Sequence, residues 1–387
     1  MEIFILYTSA TAAILMGFGA LILPINEITP PTWQYYHYFL RKPFNWSVFI
    51  GSAVWTVIIY FQQNSFPDWA ITPLILSGLA VLMVYKMHQE VMFKAVDFPD
   101  FAKDISKLPL KDDMQLALIS CSGVTKCYPL DYVVRHHVIN DRFNDKIVSL
   151  TYCAMCRSII PFDVTEIGPL FVASIKKGNM IVADRKTKTF FQQATFRSII
   201  GNLHPSALNM ITFQVLNWAD VKKISPVPDV VSVTARDLRK FELPIHGIWG
   251  KIMDSEFVFG LSKKNRDNTF PARTPVIGIF DSSITDNLVY LKQDVLNKIV
   301  VQNNEHRFIL VGINNAVNAY KIPEGNSNTK FAVQDNHIID NNSGTIWDIS
   351  GKFISGQIEE NLETVAISDE YWFSWKQYHP ETALIRV

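Results

Sequence analysis

Cys153-Ala154-Met155-Cys156 brings two thiols together with only two residues between them. Such a pair can close a chelate ring on one metal ion or form an exchangeable disulfide. The bland alternative is two cysteines that merely pack, since free thiols are among the most buried side chains in proteins. The tetrad follows 146–152 (KIVSLTY), a strand candidate, so it sits on a loop at a strand end where a partner can reach both sulfurs. His136, upstream, offers a third ligand, and imidazole with two thiolates suits a zinc or copper ion. Met155 is soft enough for Cu(I), and Gln193 with Met155 could orient the ligands. His137 would point the other way if the chain is extended there.

The same residues support redox chemistry. In that reading Cys153 is the attacking thiolate, Cys156 the resolving partner, and His136 lowers the thiol's pKa. Cys121 and Cys127, flanking Ser122-Gly123, could complete a four-cysteine site but read more simply as small apolar side chains of a hairpin. Asp184-Arg185, near Thr187, Thr189, Gln192 and Gln193, either forms a turn cap or places a carboxylate and a guanidinium beside the thiols. A third reading leaves the cysteines incidental, in a membrane-tethered body that docks a protein partner.

The elements that must position these groups fall into two parts. Hydrophobic residues make up 48% of the 387, and the first ninety hold long apolar runs. Residues 3–23 carry no charge and are long enough for a bilayer core of roughly 30 Å. Runs at 47–61 and 69–85 follow, with Trp33, Trp46, Trp69 and Tyr35, Tyr36, Tyr38 near their ends, as in interfacial aromatic belts. The region 1–90 therefore reads as a bundle of three transmembrane helices, an integral protein of the inner or plasma membrane with the lipid bilayer as one partner. A cleaved signal peptide fits poorly, because its first residues have no Lys or Arg and two further runs follow. Arg41, Lys42, Lys86 and Lys94 place the soluble region in the cytoplasm by the positive-inside rule.

Beyond residue 91 the pattern is mainly β (α+β), with hairpins expected at 115–130 around Ser122-Gly123 and at 308–322 around Asn314-Asn315. The soluble region also repeats itself. Asp184-Arg185-Lys186-Thr187-Lys188-Thr189-Phe190-Phe191 is answered by Asp340-Asn341-Asn342-Ser343-Gly344-Thr345-Ile346-Trp347, and Ser198-Ile199-Ile200-Gly201 by Phe353-Ile354-Ser355-Gly356. Leu116–Ile119 matches Val276–Ile279, and Trp218 matches Trp375. We read two related halves, 95–222 with the Cys-x-x-Cys and 273–387 without cysteines, joined by a connecting segment 223–272. They are expected to form two similar sheets packed face to face.

Thirty-six basic and thirty-six acidic residues cancel, and no basic patch is interleaved with aromatics, so nucleic acid has no case. No phosphate-binding glycine loop, H-E-x-x-H or G-x-S-x-G occurs, so no nucleotide cofactor is expected. Four cysteines exclude a disulfide-stapled scaffold.

Read in order, Cys127-Tyr128-Pro129-Leu130, His136, Val138-Ile139-Asn140-Asp141 and Thr151-Tyr152-Cys153-Ala154-Met155-Cys156 resemble the domain-of-unknown-function 3179 family. That family reads A-Y-P-L, W-H-x-x-V-N-D and T-Y-C-P-L-C. Asp184-Arg185 through Thr195 is similar to its D-R-x-T-x-S-x-W-x-Q-x-T-G block, and Trp347-Asp348-Ile349-Ser350-Gly351 and Trp372-Phe373-x-Trp375-x-x-x-His379-Pro380 resemble its later motifs. The resemblance covers about 110–387. It implies that Cys153, Cys156 and His136 occupy motif positions, while Cys121 and Cys127 do not. Arg135, Phe191 and Phe196 depart from the pattern, standing for Trp, Trp and Gly. Many members are exported, which implies the opposite, extracytoplasmic placement.

Overall fold

The computed structural model describes residues 1–239, 247–280, 287–324 and 329–387. It begins with three helices, α1 (Glu2–Ile25), α2 (Pro31–Gln63) and α3 (Asp68–Lys86), each long and apolar enough to cross a membrane. Small residues let them approach: Ala10, Ala13, Ala20, Ala70 and Ala80 are all buried.

The second helix extends well past the apolar run at 47–61. Its 33 residues span about 50 Å at 1.5 Å per residue. Its early turns leave the bundle and pack on the soluble region. Gln34 Nε2 donates to the Ile175 carbonyl at 3.0 Å, and the Tyr35 and Tyr38 rings meet Phe190 and Phe171. Hydropathy detects only the lipid-facing part of such a helix, whereas the hydrogen-bond ladder continues through polar and aromatic residues.

The expected hairpins form. Strands Gln115–Cys121 and Val124–Pro129 meet at Ser122-Gly123, with φ of 48° and 74°. Strands Phe308–Ile313 and Ala316–Lys321 meet at Asn314-Asn315, with φ of 53° and 61°. Two positive φ values in a two-residue loop match the right-handed twist of the flanking strands.

The two facing sheets do not form. Among the described residues the strands make six small sheets of three to five strands. Short helices cause the division. Leu130–His136 carries the chain from the sheet of Val124–Pro129 to that of Val138–Phe143, and Lys292–Lys298 does the same between Leu288–Leu291 and Val300–Asn303. A positive φ at His137 and at Ile299 (62° and 65°) turns the chain at each exit.

The repeated blocks fold into the same turn. Thr187 Oγ1 donates to Asp184 Oδ2 at 2.7 Å, and Ser343 Oγ to Asp340 Oδ2 at 2.6 Å. Thr189 Oγ1 accepts the Leu203 N–H, and Thr345 Oγ1 those of Gln357 and Ile358. Trp218, however, opens the helix Trp218–Val221 as Trp372, not Trp375, opens Trp372–Tyr378. Each helix follows a strand antiparallel to an early strand of its own segment, Gln214–Asn217 on Gln115–Cys121 and Ala366–Tyr371 on Pro275–Phe280.

The two segments share a core in which Leu116, Leu118 and Trp218 pack with Ile309, Val311, Tyr320 and Trp347. The stretch expected to connect them contributes to the fold as well. Val258, Leu261 and Ala272 pack into the core that holds both cysteines of the tetrad, and Asp229–Val230 pairs in parallel with Val124–Pro129. Residues 240–246 of that stretch lie outside the described residues.

Candidate functional site

Strand Lys146–Cys153 ends at the first thiol, a four-residue turn carries the second, and strand Ser158–Asp163 leads away. Arg157 closes this turn at φ 65°. Both sulfurs face inward: Cys153 is 2% exposed and Cys156 0%. Ala154, between them, lines a cleft of about 850 Å³ whose walls include Tyr152, Arg157, Asp369 and Tyr371. The backbone of the tetrad thus borders solvent-accessible space while its thiols point to the other side.

Polar side chains converge on Cys156. Asn179 Nδ2 donates to Cys156 Sγ at 3.1 Å, and the Ser158 hydroxyl lies 3.1 Å from the same atom. Ser158 opens the strand that leaves the turn, two residues past Cys156. Both partners are held in turn. Gln192 Nε2 donates to Asn179 Oδ1 at 2.5 Å, Ser158 Oγ donates to Gln193 Oε1 at 2.9 Å, and Gln193 Nε2 donates to Thr151 Oγ1 at 2.9 Å. Ser158 has one hydroxyl proton. It donates to Gln193 while Cys156 is a thiol, and can swing to the sulfur when Cys156 ionises.

Burial pushes the Cys156 thiol up, but hydrogen bonds from the Cys153 side chain and from Ser158 outweigh it and bring it down to about 7. Cys153 moves the opposite way, raised well above the usual thiol range by burial and by its contact with Cys156. Its Sγ points to the Gly178 carbonyl at 3.6 Å, an acceptor that favours the protonated form.

The other wall comes from the far end of the chain. In strand Ala366–Tyr371 the Tyr371 N–H donates to the Cys156 carbonyl at 3.0 Å, and Glu370 is 1% exposed. Burial first, then the nearby Cys156 charge, push the Glu370 carboxyl up to about 8. Ser374 and Tyr378, on the helix Trp372–Tyr378, stand beside the thiols, and the Tyr378 hydroxyl donates to the Lys176 carbonyl at 2.8 Å. Lys176 Nζ reaches the Asn26 carbonyl just past α1 at 2.5 Å, so the site lies near the end of that apolar helix.

The structure separates several residues grouped by the sequence. His136 Nδ1 meets the Lys94 carbonyl at 3.2 Å and its ring packs on Tyr132. Among the described residues no group of three or more His, Cys, Asp or Glu is arranged to hold a metal ion, so Cys153, Cys156 and His136 are not brought together as a ligand set. His136 ends its helix, Leu130–His136, and the intervening hairpin carries the thiols elsewhere. Asp184 closes its own turn and Arg185 pairs with Asp97 at 2.9 Å, both engaged away from the thiols. Met155 packs in the surrounding core. Cys127 is buried among apolar residues and Cys121 is half-buried at a strand end, both free.

Gln193 does reach the thiol network, through Ser158. Ser158, Asn179, Glu370, Ser374 and Tyr378 are additions from the structure. Two of them carried a signal in the sequence: Ser374 and Tyr378 lie inside the Trp372-Phe373-x-Trp375-x-x-x-His379 motif.

No curated protein and no solved structure matches this chain. The model of the family described as protein of unknown function, DUF3179, matches residues 93–382, a stretch that takes in both the thiol pair and the wall that Glu370 and Tyr378 supply. The chain therefore belongs to the DUF3179 family.

Proposed function

We propose that this chain is a membrane-anchored thiol–disulfide oxidoreductase acting through Cys153 and Cys156. The observation that carries the reading is the convergence of the Ser158 hydroxyl and the Asn179 amide on Cys156 Sγ. Donors aimed at one sulfur stabilise a thiolate, the nucleophilic form. They favour Cys156 as the attacking sulfur, the reverse of the order expected from the sequence.

In the reaction Cys156 S⁻ attacks a disulfide R–S–S–R′, forming a mixed disulfide with R–S and releasing R′–S⁻. The Cys153 sulfur then attacks Cys156, its proton passing to the departing R–S⁻. The protein loses two electrons, the substrate gains them, and the Cys156 proton ends on R′–S⁻. The cleft beside Ala154 supports access for a substrate, with the turn opening to present Cys156.

The test is equilibration of the detergent-solubilised full chain in glutathione buffers, followed by alkylation and mass spectrometry. A Cys153–Cys156 disulfide that forms and breaks reversibly, and is lost in C156S, supports the reading. A chain that stays dithiol throughout and carries one zinc or copper ion, lost in C153S, overturns it in favour of a metal site.

Arg41 and Lys42 lie about three turns into α2, Lys86 ends α3 and Lys94 follows it, all on the side of the apolar runs nearest the soluble region, which supports a cytoplasmic placement. The cytosol would also keep such a pair reduced. The paired Asp184 and Asp340 turns, with the parallel order of strands and helices, support descent of 95–222 and 273–387 from one duplicated unit.

A further inference from the structure

We propose that the Glu370 carboxyl is the proton store of the thiol pair, taking the proton that Cys156 gives up on becoming a thiolate; this rests on the redox reading above. Glu370 sits on the strand whose next residue, Tyr371, is hydrogen-bonded to the Cys156 carbonyl at 3.0 Å. Ser368 Oγ donates to Glu370 Oε1 at 2.8 Å, while Glu370 Oε2 has no hydrogen-bond partner among the described residues. The Ser374 hydroxyl stands beside both Cys156 and Glu370, outside ordinary hydrogen-bond geometry to either. A buried carboxylate with one bare oxygen is costly, and protonating that oxygen removes the charge.

Two buried acids on backbone-bonded elements cannot both ionise without repulsion. The pair therefore holds one proton between them. Cys156 S–H and Glu370 COO⁻ become Cys156 S⁻ and Glu370 COOH, one S–H bond breaking and one O–H bond forming with no net charge change. When Cys156 attacks a disulfide its charge disappears, and the carboxyl proton leaves on R′–S⁻. The other ionisable groups facing this point are Cys153 on the same turn, Tyr378 on the C-terminal helix, and Asp369 on the same strand. Asp369 is paired with Arg157 at 3.3 Å and Lys292 at 2.6 Å, so its charge is compensated.

The experiment is the infrared difference spectrum between reduced and oxidised full chain in detergent at pH 7.5, for wild type, Glu370→Gln and Glu370→Asp. A protonated-carboxyl band is expected in the reduced wild type, absent in Glu370→Gln and shifted in Glu370→Asp. The thiolate absorbance of wild type is expected to titrate in two coupled steps that collapse to one in Glu370→Gln. If the disulfide forms but no such band is present, or the band survives in Glu370→Gln, the inference falls and the redox reading stands. If no disulfide forms, the redox reading itself falls. Should Glu370→Gln not fold, the wild-type band and its shift in Glu370→Asp decide alone.

Discussion

Ser158→Ala tests the claim that side-chain donors, more than surrounding charge, set the acidity of Cys156. The substitution removes the hydroxyl 3.1 Å from Cys156 Sγ. A hydrogen bond to a charged group contributes about 1.5–3 kcal/mol. At about 1.4 kcal/mol per pKa unit, its loss moves Cys156 up by about 1–2 units. From a starting value of about 7, the new midpoint lies near 8–9. Reactivity at a single pH would understate this. The thiolate fraction at pH 7 drops about 5- to 50-fold, but the remaining thiolate is about 3- to 8-fold more nucleophilic because β is near 0.4–0.5. The assay is therefore the full pH titration of thiolate absorbance in the reduced protein. Cys127 and Cys121 are both pushed up by burial, which keeps the window around neutrality clear. A midpoint equal to wild type in Ser158→Ala, and still equal in Ser158→Ala/Ser374→Ala, would refute the reasoning, since the Ser374 hydroxyl also stands beside the sulfur.

Three further predictions come from other parts of the molecule. The stability of reduced wild type minus that of Glu370→Gln should fall by about 1.4 kcal/mol per pH unit as pH rises from the ordinary carboxyl range towards 8. The sign follows because a raised pKa makes the folded state bind the extra proton, a contribution complete in acid and lost through the folded pKa of about 8; thermal midpoints in detergent across pH 4.5–8 check it. Asp369→Ala leaves the Lys292 ammonium buried without its 2.6 Å partner, a change that should cost about 3–5 kcal/mol, read as a lowered thermal midpoint that Arg157→Ala does not reproduce. Gly344→Ala, where a Cβ meets nothing within 4 Å but φ is 66°, should cost about 1–2 kcal/mol. Gly356→Ala would drive its Cβ to 2.3 Å from Thr345 Cα and should lower the midpoint several times further.

How much of this was legible from residue types depended on whether the relevant interaction was local. Apolar length located the three helices, and turn residues located both hairpins, because each signal is contained in a few neighbouring positions. The Asp184 and Asp340 turns were readable for the same reason: Asp, then Thr or Ser three positions on and Thr five positions on, make one closed hydrogen-bond pattern. The division into six sheets was not, because it depends on two short helices that redirect the chain without a long amphipathic period. His136 was chosen as a ligand on spacing, yet a helix end followed by a hairpin puts chain neighbours on separate elements. Asn179 and Glu370 were invisible for the converse reason. Their nearness to Cys156 is created by packing across 23 and 214 positions, and neither residue type in isolation suggests a thiol partner.

The absence of thiols from the second segment takes on a different meaning in this light. If that segment were a copy that had lost its site, its strand 366–371 and following helix would be free to drift from the first segment's chemistry. Instead they form the wall against Cys156: Tyr371 bonds the backbone of the tetrad, Glu370 is buried on the same strand, and Tyr378 ties the helix to the Lys176 carbonyl. Gly278 allows this closeness, since a Cβ there would lie 2.0 Å from the Trp375 ring. In the proposed reaction the first segment would supply the sulfurs and the donors to Cys156, and the second the acid. The family match over 93–382 takes in both segments. Lys176 then links the site to the end of α1, its ammonium bonded to the Asn26 carbonyl and its own carbonyl to the Tyr378 hydroxyl.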